Sequence, residues 1–349
     1  MIASERARAV QARSGPRPLD PSRDLAQVAD LIDAAFGEDM DEEGRRVLQE
    51  MRAMSHAGPL LWLLFHTSYE FREAFGGYVW EEEGRIVGNV TLSTVSPGAD
   101  RWQISNVAVD EAYRRRGIAR RLMHLALADA RRQGGTWALL QVRHDNEAAL
   151  ALYRSLGFET LGGETFMDWR GRPPMPLQAL EGQAAGADVV VRPIRPEEWP
   201  AELDLARAAV PPLMQWARPL RAHRFRRTAT PAWWAALGRW FSGREDRLVG
   251  AFQGERLLAR LHLRVDHRAG RAALRVLVAT EARGQVEEAL LQEGLARLPG
   301  GRRLQVEARF PMELTTLREA LEGLGFRHRR TLLHMRRDLS RGVPALEGA

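Results

Sequence analysis

"NVAVDEAYRRRGIARRL", residues 106–122, sets three consecutive arginines, Arg114, Arg115 and Arg116, against a single glycine, Gly117. A run of cations repels itself, so solvent or a bound anion must offset the clustering. Beyond the glycine, Ile118, Leu122, Met123, Leu125, Ala126 and Ala130 recur at helical spacing, and Gly134-Gly135 ends the run. The stretch "NVAV" before it reads as a strand. The turn therefore leaves a strand and enters a helix, whose first N–H groups have no partner inside that helix. With the helix dipole, nearby guanidiniums and a glycine that lets an oxygen approach the backbone, the turn predicts an anion site suited to a diphosphate.

Working outward, "GGYVWEEEGRIVGNVTLSTV" reads as an antiparallel hairpin turning at Glu83-Gly84, and "RWQISNVAV" as a third strand. After the arginine-led helix, "TWALLQV" is a short buried strand. "DNEAALALYRSLGF" is a helix capped by Asp145 or Asn146 and ended by Gly157. Strand, helix, strand implies a right-handed parallel crossover. The expected fold class is α+β, a mixed and mostly antiparallel sheet with a central parallel pair and helices on both faces.

The pattern occurs twice. "RPLDPSRDLAQVADLIDAAF" (17–36) is echoed by "RPIRPEEWPAELDLARAAV" (192–210), and Gly157-Phe158 by Gly325-Phe326 at the end of each half. "GRPPMPLQALEGQAAGA" (171–187) reads as a linker. The expected organisation is a tail at 1–14, a first domain at 15–170, the linker, a second domain at 188–340, and a tail at 341–349. A length of 349 residues fits two domains.

Composition narrows the function. All 51 Lys+Arg residues are arginine, against 45 Asp+Glu, for a net charge of +6. Uniform arginine use with abundant Ala and Gly reads as codon bias rather than a nucleic-acid stripe, so no nucleic-acid partner is expected. The absence of cysteine excludes disulfides, thiolate metal sites and a thiol nucleophile. His262, His267, His328 and His334 lack metal-site spacing, and no metal is expected. The opening residues lack an apolar core, and "PLLWLLF" (59–65) is too short to span a bilayer, so the expectation is a cytoplasmic protein without membrane attachment.

The turn is neither the dinucleotide fingerprint nor a Walker loop, because it has no G-x-G-x-x-G and no Gly-Lys-Ser/Thr. It follows Arg/Gln-x-x-Gly-x-Gly/Ala, filled by Arg114, Gly117 and Ala119, and "NEAALALYRSLGF" follows downstream. On these residues the sequence resembles the GNAT superfamily of acetyl-coenzyme A-dependent N-acetyltransferases, over roughly residues 17–170. The resemblance implies a coenzyme held in a V between two splayed parallel strands, the pantetheine arm pairing with Val107, Ala108 and Val109. It implies that Arg114, Arg115, Arg116, Gly117, Ile118, Ala119 and Arg120 hold the pyrophosphate, chiefly by main-chain N–H. It implies further that Asn146 touches the pantetheine and that Tyr153 protonates the leaving thiolate. Spacing agrees, since Asn146, Ala149 or Leu150, and Tyr153 share one helical face. Taken alone, Tyr153 also fits an amphipathic core position.

No general base is assigned. Glu81, Glu82, Glu83 and Asp168 are carboxylates nearby in sequence that fit a solvated face or hairpin end, and Ser105 is the candidate for orienting the amine or a water. In the second half, "RVLVATEARGQVEEALL" (275–291) replaces the arginine turn, with Glu287 and Glu288 beside it, and Leu314 and Leu321 stand where Asn146 and Tyr153 do. That half is expected to keep the fold without the coenzyme; a different gap placement leaves Arg283-Gly284 able to cradle a phosphate. "TPAWWAALGRWF" (230–241) reads as packing or as an aromatic wall for the acceptor, and "RAHRFRRT" (221–228) as a solvated face or a site for an acidic acceptor or RNA. The expected activity is acetyl transfer to a primary amine of a small-molecule or peptide acceptor, by a monomer or homodimer. The alternative is a non-catalytic acetyl-coenzyme A sensor or scaffold.

Overall fold

The computed structural model describes residues 14–37, 40, 42–55, 76–95, 100–173, 188–217, 219–227, 243–296, 298 and 303–342. The apolar stretch 59–65, the tryptophan stretch 230–241 and most of the linker and of both tails lie outside the described residues. Two compact units emerge. One comprises residues 1–142, 146–160 and 335–349, the other 143–145 and 161–334.

In the first unit, strand β1 (Gly15–Pro18) leads into helix α1 (Pro21–Phe36). Asp20 caps that helix by accepting from the Ser22 N–H, and Pro21 occupies its first turn, where no donor is needed. Leu25, Val28, Ala29 and Ile32 form its buried stripe. Arg17 donates to both Asp24 oxygens, at 2.5 and 2.9 Å, and to Glu81 across the neighbouring strand at 2.5 Å. Helix α2 (Glu42–Met54) follows.

Strands β2 (Gly76–Glu82) and β3 (Arg85–Thr94) form the expected hairpin, and both turn residues, Glu83 and Gly84, have positive φ, as a tight two-residue turn requires. Strand β4 (Arg101–Val109) pairs antiparallel with β3, helix α3 (Ile118–Arg132) crosses over, and β5 (Trp137–Arg143) returns parallel to β4. Helix α4 (Glu147–Ser155) then leads to β6 (Glu159–Gly171). The sheet runs β1-β2-β3-β4-β5. Val79, Ile86 and Ala108 pack with the α1 stripe. On the other face, Gly88 lies so close to Ile118 and Leu122 of α3 that a Cβ there would stand 2.8 and 3.0 Å from them. Helices thus cover both faces. Within α3 the buried stripe includes Leu127, while Leu125 is only half-buried, because the stripe follows Ile118, Leu122 and Ala126 along one side.

The second unit repeats the plan. Strand β7 (Val189–Pro193) precedes helix α5 (Trp199–Ala209) and the short α6 (Pro212–Ala217). Arg192 makes a two-pronged pair with Glu198 at 3.0 and 2.7 Å, the geometry that Arg17 makes with Asp24. In both halves that same carboxylate also accepts a backbone N–H, from Asp20 and from Arg195. Strands β8 (Arg244–Gln253), β9 (Arg256–Asp266) and β10 (Arg271–Val278) are antiparallel neighbours. Helix α7 (Glu287–Leu295) crosses to β11 (Leu304–Pro311), parallel to β10. Helix α8 (Thr315–Gly323) leads to β12 (Arg327–Asp338). Residues 164–171 of β6 pair with β11 in this unit, whereas residues 335–338, the end of β12, belong to the first. The Leu339 N–H donates to the Thr136 carbonyl at 2.9 Å just before β5.

Glu164 on β6 accepts from Arg309 at 2.9 and 2.5 Å and contacts His334 at 3.1 Å. Burial works against its charged form, but the bonds from His334 and Arg309 win and hold its pKa down at about 2, from 4.5. A carboxylate depressed on folding contributes stability above its unfolded pKa and loses that contribution as pH falls through the folded value. Wild type is therefore expected to lose up to about 3 kcal/mol more than Glu164→Gln between roughly pH 4.5 and 2. Urea midpoints across that range measure the difference, and parallel curves would refute it.

Candidate functional site: a splayed parallel pair and its anion turn

Strand β4 hydrogen-bonds to β5 only from Arg101↔Trp137 to Gln103↔Leu139, and the two then part. A bulge drives β4 away. Asn89 of β3 faces Ala108 and Thr91 faces Ser105, so Asn106 and Val107 share one opposing position, and Asn106 takes φ 51. The bulge is held from beneath by Asn89, fully buried, whose Nδ2 donates to the Asn106 carbonyl at 2.9 Å. Asn106 Nδ2 in turn donates to Thr91 Oγ1 at 3.2 Å. The result is a V whose β4 wall carries Ser105, Val107, Ala108 and Val109.

At the end of that wall the chain makes a short 3-10 turn capped by Asp110 and enters the arginine turn. Arg115 has φ 62 and Gly117 φ 77, and Gly117 stands at the cap of α3 without any side-chain cap bond. A Cβ on Gly117 would meet nothing within 4 Å, so the turn is open to a ligand while its backbone angle favours glycine. Backbone N–H groups from Arg115 through Arg120 find no backbone acceptor among the described residues; the helix bonding begins with Arg121 N–H to the Gly117 carbonyl. The turn's arginines are exposed. Arg114 donates to the Val109 carbonyl at 3.3 Å, Arg116 lies over the Tyr113 ring, and Arg120 reaches Ser155 Oγ at 3.0 Å, while Ile118 and Ala119 anchor the helix. A cavity of about 400 Å³ behind the turn is lined by Asp30, Asp110 and Glu111 as well as Arg85 and Arg114. Three carboxylates disfavour a phosphate there, which leaves the open side of the turn, toward the V, for an anion.

Helix α4 follows β5, the second arm of the V, and meets the arginine turn where Ser155 accepts from Arg120. Asn146 caps it, its Oδ1 accepting from the Ala149 N–H at 3.1 Å, so its amide nitrogen remains available while the oxygen is engaged. Tyr153 is buried, its ring 5.9 Å from that of Phe158, and its hydroxyl has no hydrogen-bond partner among the described residues. Burial alone pushes its pKa up to about 12. Such a hydroxyl is a proton donor at neutral pH. The carboxylates considered as bases point elsewhere: Glu81 binds Arg17, Glu82 binds Ser14 and Trp80, Glu83 is exposed in the hairpin turn, and Asp168 pairs with Arg329 in the second unit.

Two participants escape sequence reading. Asn89 is a polar residue inside an apolar strand run, a pattern that flags a buried hydrogen bond but not its partner. Arg337, on the end of β12, is buried and donates to the Leu156 carbonyl at the C-terminus of α4 and to the Gly342 carbonyl. A cation there complements the negative end of the helix dipole and fixes the helix that carries Tyr153.

Residues 39–158, which include the turn, match the acetyltransferase (GNAT) family. The chain contains a GNAT domain. It is 44% identical over 80 residues to the N-alpha-acetyltransferase RimI of Mycobacterium tuberculosis, a stretch that is 23% of this chain and 49% of that protein. It is 41% identical over 59 residues to the [ribosomal protein bS18]-alanine N-acetyltransferase of Escherichia coli, 17% of this chain and 40% of that one. The chain thus spans about half or less of the curated relatives it matches. A GCN5-related N-acetyltransferase structure from Sphaerobacter thermophilus shares the fold over 95% of this chain and 97% of its own, with TM-score 0.56 and 15% identity. Among the described residues no cluster of His, Asp and Glu is fit to hold a metal, and no helix is long and apolar enough to cross a membrane.

In the second unit the equivalent turn is occupied from within. Glu287, buried, accepts the Gly284 N–H at 2.8 Å and the Val286 N–H at 3.1 Å with its two oxygens. Leu314 and Leu321 are buried on α8 and its cap where the GNAT domain has Asn146 and Tyr153.

Proposed function

We propose that the GNAT domain transfers acetyl from acetyl-coenzyme A to a primary amine by direct attack, and that the second half is inactive. The carrying observation is the parallel pair that stops at Gln103↔Leu139 and opens beside a turn of unpaired N–H groups. The co-substrate supplies an activated thioester. Val107, Ala108 and Val109 offer backbone pairing along the open wall, and a main-chain donor there facing a developing oxyanion is worth about 10²- to 10³-fold in rate. Residues from Arg114 to Arg120 hold the pyrophosphate, Asn146 orients the arm, and Ser105 orients the amine or a water. Tyr153 delivers a proton to the departing sulfur. In the second half the carboxylate of Glu287 accepts two N–H groups of the corresponding turn, which supports loss of the coenzyme there.

The relatives named as N-alpha and alanine N-acetyltransferases make a peptide N-terminal amine the first acceptor class to test. Thiol release from acetyl-coenzyme A is expected with peptides bearing a free N-terminus and not with N-terminally blocked ones. Release with small amines alone would redirect the acceptor, binding without release would favour the sensor reading, and neither binding nor release would refute the assignment.

A further inference from the structure

The second unit has its own V, and its mouth is arginine-lined. Strands β10 and β11 stay paired through Arg275↔Arg309, then part, although β10 continues to Val278. Counted back from the last residues of the two strands, Val109 and Val278, Arg275 falls where the GNAT domain has Asn106. Arg275 is flanked directly by Arg309 on one side and His262 on the other. Like charges directly opposite in a sheet destabilise it unless something neutralises them.

The carboxylates on that face are already shared. Glu164 serves Arg309 and His334, Asp246 serves Arg264 and His262, and Glu202 serves Arg260 and Arg227. Glu307 and Asp168, further along the same face, lie against Arg329, and the Arg275 guanidinium has no hydrogen-bond or ion-pair partner among the described residues. Its pKa is pulled down by desolvation and then by the charges of Arg309 and Arg264, against a smaller opposing effect of Glu164. The residue is still exposed enough for a solute to reach it. Arg330 adds a further guanidinium over the Phe166 ring that Arg309 also covers. The coenzyme's own anion position in this unit is closed by Glu287, so a ligand here must be small and bind at the mouth.

We propose that the second unit binds a small oxyanion, a carboxylate or phosphate group, between Arg275 and Arg309 at the mouth of its V. Glu164 holds Arg309 through Nε and Nη2, so the site offers the free planar fork of Arg275 with the remaining Nη1 of Arg309, donors that suit the oxygen geometry of either group. The site makes this half a ligand-binding module that has exchanged the coenzyme for an acidic small molecule. It does not depend on the acetyl-transfer reading.

The test is thermal unfolding and calorimetry of the full chain with inorganic phosphate and with succinate, each against chloride at matched ionic strength. Wild type is expected to be stabilised by at least one of the two anions beyond chloride. In Arg275→Gln that binding weakens about tenfold or more, while Arg207→Gln, an exposed arginine paired with Asp204 on α5, behaves as wild type. In chloride alone Arg275→Gln unfolds no earlier than wild type, because it removes an unpaired cation from among cations. Phosphate without succinate, or the reverse, identifies the class of oxyanion and supports the site. No anion-specific stabilisation of wild type, equal stabilisation of all three proteins, or a lower unfolding midpoint for Arg275→Gln in chloride overturns it.

Discussion

Gly117→Glu is expected to weaken acetyl-coenzyme A binding at least about 100-fold, a loss of roughly 2.7 kcal/mol, in a calorimetric titration where wild type binds one molecule per chain. Two costs add. Gly117 has φ 77, where an L side chain loses about 1–2 kcal/mol, and the new carboxylate stands beside N–H groups meant for a phosphate. The molecule already contains such an arrangement: in the second unit Glu287 satisfies the turn's donors itself. Gly117→Ala separates the costs, because the space above the glycine is open and only the backbone penalty applies. Unchanged binding in Gly117→Glu would remove the turn from the site, and two molecules bound per wild-type chain would show that the second half is still loaded.

Tyr153→Phe is expected to lower kcat by about 10²- to 10⁴-fold with little change in KM for acetyl-coenzyme A. The hydroxyl has no partner among the described residues and the ring packing on Phe158 is retained, so the fold should not notice its loss. Burial places the phenol at about 12, so it stays protonated through the neutral range and its ionisation adds no basic limb to the rate profile below about pH 10. A variant that keeps kcat within a few-fold would leave Tyr153 as a packing residue, the role its spacing alone also allows.

Both predictions rest on features that were legible in the residues, because each is local. A glycine after three arginines, a strand before it and a helix after it are neighbours in sequence, and the backbone angle at Gly117 follows from that adjacency. Asp145 or Asn146 reads as a helix cap for the same reason, and it is Asn146 whose Oδ1 accepts the Ala149 N–H. The second half reads as altered from Glu287 and Glu288, and the structure shows how one of them is used: the Glu287 carboxylate bonds the Gly284 and Val286 N–H groups. Asn89 and Arg337 were illegible because their partners lie far along the chain, at Asn106 and at Leu156.

The amino-acid order by itself determined the hairpin at Glu83-Gly84, the crossover through α3, the glycine turn that opens it and the duplicated plan, all of which depend on periodicity, turn residues and caps within a few positions of one another. Only the tertiary structure decided where β4 leaves β5, that residues 161–171 join the second unit, and that residues 335–338 join the first. The reason is physical. Each closing strand follows a Gly-Phe pair at the end of a helix, and which unit it joins is set by long-range pairing and burial that no short stretch encodes.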